Sequence, residues 1–365
     1  MMRNRFIATK SASAKYVHFL SKPESSYFLI MTTVGLLSGL GIMMVLSASA
    51  VRSFSINGST YSIFLKQLIF MVTGIVLAYV AMKLRPALWH RIAKKGIVLG
   101  GGLLLLPFIP FIRKEVNGNS NWVGYGPFTL QPSEFAKITL ILWCALQFKK
   151  FLEKYENSER PQGIQGNPGF PIAGGSLLIL ALVLAEKDLG SAAVVAGIIF
   201  GMLFISGIRI LHIGFAGIVA LAVGAALTVT NSNRLSRFKA IGNPFDPAIY
   251  KFAGWQPAHG LMGLASGGFL GVGLGASRQK WANLAEAHTD FIFSVVGEEL
   301  GFIGVSIALS LFLALFLRST RVASRANDAF PSLVAFGLVS AWFVIDTDSL
   351  TKGAPQFPVV PLVAK

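Results

Sequence analysis

Three acidic residues lie in or beside the apolar part of Ala287–Gly301, which reads AHTDFIFSVVGEELG. Asp290 lies where a polar segment meets the apolar run, and Glu298 and Glu299 follow inside that run. On a helix that rises ~1.5 Å per residue, the two glutamates lie roughly 12–14 Å beyond Asp290. An ionised group in the middle of a bilayer costs about 2.5–3.5 kcal/mol. Each of these carboxylates must therefore have a compensating structural or chemical role.

Asp290 has two interpretations that its position leaves open. Either Thr289 or Asp290 caps the following helix, because a side-chain oxygen there satisfies free N–H groups and opposes the helix dipole. Alternatively, a carboxylate at a water–membrane boundary acts as general base toward a sugar hydroxyl, or binds a divalent cation such as Mg²⁺ or Mn²⁺. Glu298 and Glu299 point in other directions on a regular helix, so we expect them mainly to join helices.

A second polar group is Gln131–Lys137, which reads QPSEFAK. Its Pro-Ser pair is typical of a helix start, and Glu134 suits the N-terminal end of a helix. Lys137 lies one turn further along and needs an acidic partner at that depth. That partner is either Glu134 on the same helix, or Glu298 or Glu299 on another one.

A third polar group, Glu186–Ser191, joins two apolar runs and contains Asp188. Polar turns join most hairpins, so this group carries chemistry only if the fold brings it close to the other two. The sequence has no G-x-x-x-x-G-K-[ST] phosphate loop, which argues against nucleotide hydrolysis. Its five histidines are scattered rather than spaced as zinc ligands.

The composition identifies a polytopic membrane protein. Of the 365 residues, 53% are hydrophobic and 13% are charged, and the mean hydropathy is +0.63, well outside the range of soluble domains. The net charge is +16, but the basic residues form short clusters between apolar runs, as the positive-inside rule requires. We therefore expect no nucleic-acid partner. The single cysteine, Cys144, excludes an internal disulfide.

Nine apolar runs predict membrane-spanning helices, and the fold class is an all-α polytopic membrane protein. The first run, Phe28–Leu46, follows a basic segment as a signal peptide would, but its length and the later runs favour an uncleaved helix. The others are Leu65–Met82, Ile97–Ile112, Phe135–Phe148, Phe170–Ala185, Ala192–Ile208, Ile210–Thr230, Phe291–Leu317 and Phe330–Ile345.

The distribution of Lys and Arg predicts a cytoplasmic N-terminus, because the loops that are then cytoplasmic hold most of the basic residues. The chain divides into a basic cytoplasmic tail at 1–27, a transmembrane domain at 28–345 and an atypical C-terminal tail at 346–365. A large outer loop, 231–289, lies between helices 7 and 8. This topology places Asp290 at the outer membrane surface.

The outer loop is long enough to be functional. Its Leu261–Gly275 stretch is too short and too rich in glycine for an ordinary span, so we expect a re-entrant or surface-lying helix. The basic residues of the loop have few acids nearby, which suits a phosphate-bearing partner or the anionic headgroups of membrane lipids. These residues are Arg234, Arg237, Lys239, Lys251, Arg278 and Lys280.

Five segments occur in an order that resembles the SEDS family, the FtsW, RodA and SpoVE proteins of bacterial wall synthesis, and its FtsW members most. The resemblance extends over residues 28–345. The AHTDFIF…GEELG motif is the most specific part, followed by the glycine-rich segment before it. The segments are Asn117–Ile138, Glu186–Ala192, Asn243–Pro247, Ala265–Lys280 and Glu286–Gly301.

The resemblance implies a peptidoglycan glycosyltransferase in the bacterial cytoplasmic membrane, a multi-pass protein at the division septum. It implies lipid II as substrate, a disaccharide-peptide carried on undecaprenyl pyrophosphate. The implied partners are a class B penicillin-binding protein and other divisome proteins. Two alternatives stay open, namely a lipid II transporter and a non-catalytic divisome scaffold that would be an inactive, truncated homologue.

The resemblance also implies roles for individual residues. The essential aspartate of the family falls on Asp290, as base or as ligand of a divalent cation. The glutamate and lysine of the Q-P-S-E-x-x-K motif fall on Glu134 and Lys137, and the acid of the D-L-G motif falls on Asp188. With the basic outer loop, substrate binding is predicted for Lys137, Glu134, Asp188, Arg237, Gln256, Arg278 and Lys280, and a structural role for Glu298 and Glu299.

Several positions depart from the family pattern. Asn121 stands where an arginine usually precedes the tryptophan, which removes an expected phosphate contact. Lys187 replaces a proline, His259 a glutamine and Ala285 a proline. After Ile345 the sequence DTDSLTKGAPQFPVVPLVAK does not match the last helices of the family, so we expect a truncated or altered C-terminus with consequences for folding and activity.

Overall fold

A computed structural model describes residues 23–116, 119–125, 128–157, 169–206, 208, 210–230, 232–281, 284 and 287–351. It is mostly helical, at 77%. Most of the predicted tail at 1–27, the departure at Ala285 and the C-terminal residues from 352 onward lie outside the described residues.

The described helices follow the apolar runs, with shorter amphipathic helices between them. Pro86 and Pro132 each begin a helix, at a position where the missing N–H group needs no partner. The helices are α1 (Pro23–Asn57), α2 (Ser62–Lys83), α3 (Pro86–Lys94), α4 (Gly96–Leu105), α5 (Pro132–Asn157), α6 (Phe170–Ala185), α7 (Leu189–Ile205), α8 (Ile210–Val229), α9 (Ser232–Gly242), α10 (Trp255–Ser266), α11 (Ile292–Ser324) and α12 (Ala329–Thr351).

Each of the nine predicted apolar runs overlaps a described helix, although the third run, Ile97–Ile112, continues beyond the end of α4 at Leu105. Among the described residues, the four helices α1, α2, α8 and α11 are long and apolar enough to cross a membrane, while α4, α6, α7 and the first part of α12 are shorter apolar helices. The prediction of a multi-pass membrane protein is confirmed in this coarse form. The number of crossings and the side on which the N-terminus lies stay predictions.

Buried apolar side chains divide the helices into two packed groups. The larger core lies between α3 to α7 and α12, with Leu140, Ile179 and Ile198 fully buried. The second core lies between α1 and α11, where Met44 and Val295 are fully buried. Because α11 also packs along α12, the two groups are joined. Neither α2 nor α8 has a buried residue, so both lie at the edge of the molecule.

The prediction of an all-α chain is wrong in one place, the segment between α4 and α5. Three antiparallel strands lie there in the order β1 (Arg113–Val116), β2 (Asn119–Tyr125) and β3 (Phe128–Leu130). A polar segment of this length outside the spans satisfies its backbone groups by pairing them. The signal in the sequence is Asn-Gly at 117–118, a pair typical of short hairpin loops.

The long helix α11 is broken at Gly301, which has φ +67° and ψ −165°. The glycine-rich segment 267–275 packs against this break. The N–H groups of Val272 and Gly273 donate to two carbonyl groups of α11 just before the break, at 2.9 and 3.1 Å, and two N–H groups beyond it donate back to the segment, at 2.9 and 3.3 Å. Non-helical backbone at membrane depth is tolerated where it is satisfied in this way.

The helix predicted over Leu261–Gly275 is correct only as far as Ser266, where α10 ends. Beyond Ser266 the segment bends, with φ +54° at Gly268 and +82° at Gly271, a region that favours glycine. A Cβ atom at Gly271 would also collide with the carbonyl of Glu299. The glycines therefore serve close backbone contact with α11 rather than a helix of their own.

Candidate functional site

Asp290 lies in the turn before α11, between two buried anchors. Ala287 and Phe291 are each 4% exposed and belong to the core between α1 and α11. Asp290 itself is half-buried. The cap position of α11 is Phe291, which provides no side-chain hydrogen bond. A carboxyl group held from both sides at the border of the protein has the accessibility that a general base requires.

The helix α10 lies across the start of α11 and brings Gln256 toward it. A Cβ atom on Gly260 would lie only 3.1 Å from atoms of Phe291 and of Ser294, so the two helices touch there. Gln256 precedes Gly260 by four residues and shares its helix face. The predicted substrate-binding residue Gln256 thus belongs to the same region as Asp290.

His259, which stands where the family pattern has a glutamine, lies in this region and points into the protein. Its side chain is buried, its Nδ1 lies 2.9 Å from the Trp255 carbonyl oxygen, and its ring stacks on the Trp255 ring at a centroid distance of 4.1 Å. Tyr250 packs against both rings. The histidine therefore belongs to an aromatic cluster with Trp255 on the same helix and with Tyr250.

A divalent cation would find few protein ligands near Asp290. In the described part of the chain, no three His, Cys, Asp or Glu side chains lie close enough together to hold a metal ion. Mg²⁺ commonly binds through one or two carboxylates plus substrate phosphates and keeps several waters. Asp290 fits that arrangement as a single protein ligand, and a cage made wholly of protein groups does not.

Glu298 is 1% exposed and binds the residues that follow the glycine-rich segment 267–275. Its carboxylate accepts a short hydrogen bond from the Ser277 hydroxyl. It also accepts the backbone N–H groups of Arg278 at 2.9 Å and Gln279 at 3.4 Å. The buried charge is therefore compensated by donors from residues 277–279.

Glu299 is also 1% exposed and joins α11 to α1 and to the outer loop. Its carboxylate accepts the Ser47 hydroxyl at 2.6 and 2.8 Å and the N–H of Ser277 at 3.3 Å. Lys280 forms an ion pair with it at 3.3 Å and also donates to the carbonyl of Gly275. The expectation that Lys280 faces the outer headgroups is thus wrong, because its ammonium group neutralises a buried carboxylate.

Lys137 forms an ion pair with Glu134 on its own helix, with 2.8 Å between Nζ and Oε2. Both side chains are largely buried, at 7% and 16% exposure. The alternative pairing of Lys137 with Glu298 or Glu299 is wrong, because donors from the outer loop and α1 already surround those two carboxylates. Glu134 lies in the first turn of α5, where the helix dipole favours an acid.

Asp188 is a hub between three segments. It is the N-cap of α7 and accepts the N–H and the hydroxyl of Ser191 at 3.0 and 2.7 Å. The side-chain amides of Asn121 in β2 and of Gln131 before α5 also donate to it. The fold therefore brings the Q-P-S-E and D-L-G motifs together. Asn121, which stands where the family pattern has an arginine, is buried and points toward Asp188 rather than toward the surface of the protein.

Glu186 lies in the turn between α6 and α7 and is fully buried. Neither of its carboxyl oxygens has a hydrogen-bond partner among the described residues. Burial, and then the neighbouring charge of Asp188, raise its pKa to about 8. The next residue, Lys187, adopts φ +63°, a conformation that a proline, the residue which the resemblance implies at this position, cannot take.

A comparison with protein families identifies the family to which this chain belongs. The family model described as "Cell cycle protein", that of FtsW, RodA and SpoVE, matches residues 27–350. The chain belongs to the FtsW/RodA/SpoVE family.

Two relatives illustrate the similarity within this family. The "Probable peptidoglycan glycosyltransferase FtsW" of Trichlorobacter lovleyi is 39% identical over 329 residues, which are 88% of this chain and 83% of the relative. The stage V sporulation protein E of Bacillus subtilis is 34% identical over 322 residues, which are 88% and 84% of the two chains.

Solved structures share the fold at lower identity. A chain from a peptidoglycan synthase complex superposes with a TM-score of 0.65 and is 22% identical, covering 94% of this chain and 90% of its own length. The crystal structure of the rod shape determining protein RodA from Thermus thermophilus gives a TM-score of 0.59 at 23% identity, covering 94% and 89%.

The remaining predicted residues of this family member are basic and exposed. Arg278 projects from the segment that Glu298 holds, and Arg237 lies on α9. The sequence did not reveal Ser47 or Ser277, which complete the shell around the two glutamates. Serines are common in apolar helices and loops, so only their contacts distinguish these two.

Proposed function

We propose that this protein is a peptidoglycan glycosyltransferase of cell division, which joins the disaccharide units of lipid II into glycan strands. Relatives that match most of the chain carry the name of this enzyme. The observation that carries the proposal at the level of the site is Asp290, a half-buried carboxyl group between two buried anchors at the start of α11.

In the proposed reaction, Asp290 is the general base. Its carboxylate takes the proton of the acceptor hydroxyl while that oxygen forms a bond to the anomeric carbon of the donor sugar. The bond between this carbon and the pyrophosphate oxygen breaks, and the lipid pyrophosphate leaves with the bonding electrons. A positioned base contributes about 10²–10⁴-fold to such a step.

The pyrophosphate requires positive charge close to the reacting sugar. Arg278 and Arg237 have exposed side chains, and guanidinium groups bind phosphate oxygens through two parallel hydrogen bonds. Lys280 is removed from this set by its ion pair with Glu299. We assign Lys137 and its ion-pair partner Glu134, together with Asp188 and Gln256, to polar contacts with the disaccharide.

As the alternative role of Asp290, we propose that its carboxylate would hold Mg²⁺ or Mn²⁺ together with the substrate phosphates. Such an ion would supply positive charge for the leaving pyrophosphate. Chelation should then lower glycan synthesis, and added Mg²⁺ or Mn²⁺ should restore it. Synthesis that is unchanged in excess chelator would remove the cation from the proposal.

The location and partners follow from the same proposal. The reaction takes place at the outer face of the bacterial cytoplasmic membrane, at the division septum, among membrane lipids. A class B penicillin-binding protein crosslinks the strands that this protein makes, and other divisome proteins assemble with the pair.

The test uses the purified protein together with a class B penicillin-binding protein and labelled lipid II. We expect the native chain to make glycan strands and Asp290→Asn to lose about 10²-fold or more of the rate. Glu153→Gln, on the exposed end of α5, is the matched control and should retain the native rate. Strands formed at the native rate by Asp290→Asn would overturn the role of Asp290.

A further inference from the structure

Four consecutive residues, Ser277 to Lys280, are fixed to α11 by its two buried glutamates. Glu298 accepts the hydroxyl of Ser277 and the N–H groups of Arg278 and Gln279. The chain beyond is held by the ion pair of Lys280 with Glu299. The backbone around Arg278 is therefore anchored on both sides.

The side chains of this short segment point in different directions. Ser277 is fully buried and Lys280 is 7% exposed, whereas Arg278 between them is exposed. Among the described residues, no acidic side chain forms an ion pair with the Arg278 guanidinium. The segment thus turns one cation inward, where it is neutralised, and presents the other outward.

Burial of the Glu298 carboxylate costs free energy, which its hydrogen-bond donors must offset. An ionised carboxylate is stable in a buried position only when several donors surround it. Here two of its three donors are backbone N–H groups, and one of these belongs to Arg278 itself. A carboxylate that binds consecutive N–H groups fixes the backbone conformation of the residues that carry them. In this segment, the backbone conformation of Arg278 sets the direction in which the Arg278 side chain leaves the backbone.

We propose that Glu298 is a positioning residue, which fixes Arg278 so that its guanidinium binds the pyrophosphate of the lipid-linked substrate. This inference rests on the proposed function, since it takes lipid II as the ligand. A guanidinium has a planar fork of donors, so a fixed direction matters more for it than for an ammonium group. Glu298 acts only through Arg278 and does not touch the substrate.

The test is a double-mutant cycle on KM for lipid II, with Arg278→Ala, Glu298→Gln and the combined variant. The amide of Glu298→Gln replaces one acceptor oxygen by an N–H donor, which opposes the N–H groups of the segment. We expect each single variant to raise KM about tenfold with little change in kcat, the loss expected for a charged hydrogen bond. The combined variant should raise KM no further, because both changes remove the same contact.

Matched variants separate positioning from folding. Ser277→Ala removes one donor to Glu298 and should raise KM by a smaller factor, an effect that disappears when Arg278→Ala is also present. Lys66→Ala removes an exposed basic residue from α2 and should leave KM unchanged. If Glu298→Gln unfolds at a lower temperature in detergent, the Ser277→Ala comparison decides the question alone.

The possible failures are distinguishable. If the native protein makes no glycan, the proposed function itself fails. If Arg278→Ala leaves KM unchanged, Arg278 does not bind the substrate and the inference fails while the function stands. If Arg278→Ala raises KM and the effects of Glu298→Gln or Ser277→Ala simply multiply with it, these residues act elsewhere and the positioning role is overturned.

Discussion

At the scale of single residues, the burial of the Glu186 carboxyl group should make the stability of the protein depend on pH. It is fully buried beside Asp188, and its pKa of about 8 in the folded protein lies above the usual 4.5. Between these two pH values, the folded protein holds a proton that the unfolded chain has lost. The free energy of unfolding should therefore fall as pH rises from 4.5 to about 8, and it should then level off.

We expect Glu186→Gln to remove this pH dependence, because the amide mimics the protonated acid. The variant and the native protein should unfold at similar temperatures below pH 4.5, and the variant should be more stable at pH values above 8, by about 5 kcal/mol at most. Thermal unfolding in detergent at several pH values measures the difference. Glu153→Gln, whose carboxylate is 58% exposed, is the control. A native protein with a flat profile would contradict the raised pKa.

Asp188 is the second residue whose contacts predict a stability effect. Asp188→Ala removes the N-cap of α7, worth about 0.5–2 kcal/mol. It also leaves the amides of Asn121 and Gln131 without their acceptor, at about 1–3 kcal/mol. Asp188→Asn keeps a side-chain oxygen for the cap and should be less harmful. Thermal unfolding ranks the three proteins, and equal loss in both variants would show that charge rather than capping dominates.

At the scale of elements, the break in α11 depends on Gly301. Gly301→Ala should destabilise the protein strongly, because φ is +67° there and a Cβ atom would collide with the backbone of Gly271. Two controls separate the causes. Gly273→Ala has φ +105° but open space, so it carries the backbone strain alone. Gly102→Ala lies in helix α4 in open space and should be neutral or slightly stabilising. Unfolding temperature and glycan yield should follow this order.

The elements also mark the limit of prediction from sequence. The apolar runs predicted the long helices, because length and hydropathy are local properties. The break at Gly301 was not predicted, since a glycine inside an apolar run is tolerated in a continuous helix and only the segment at 267–275 makes the break favourable. The sheet after α4 was not predicted, because the apolar runs on either side of it predict helices, although the Asn-Gly pair at 117–118 is typical of a hairpin loop.

The candidate site was predictable to a similar degree. The polar boundary predicted that Asp290 lies at the start of a long apolar helix, and its role stays a prediction. The local pairing of Lys137 with Glu134 was one of two stated alternatives. The donors to Glu298 could not be predicted, because two of them are backbone groups and every residue has one. The hub at Asp188 depends on a hydrogen bond from Asn121, which is 67 residues away in sequence.

At the scale of the whole molecule, the candidate residues belong to two packed groups. Asp290 and the two glutamates belong to the group of α1 and α11, and the Asp188 hub with Glu134 belongs to the group of α3 to α7 and α12. The groups are joined where α11 packs along α12. A substrate that contacts both sets of residues must therefore depend on how these two groups are held together.

The orientation of the molecule decides whether Asp290 meets an outer or an inner substrate. Because Cys144 is the only cysteine and is buried, a Cys144→Ala background allows single cysteines to report each side. Lys251, in the loop before α10, and Lys94, at the end of α3, are both exposed. In intact spheroplasts, a membrane-impermeant maleimide should label Lys251→Cys, and it should label Lys94→Cys only after permeabilisation, since basic short loops favour the cytoplasm. The reverse pattern would place Asp290 on the cytoplasmic side, where it could not act on lipid II at the outer face.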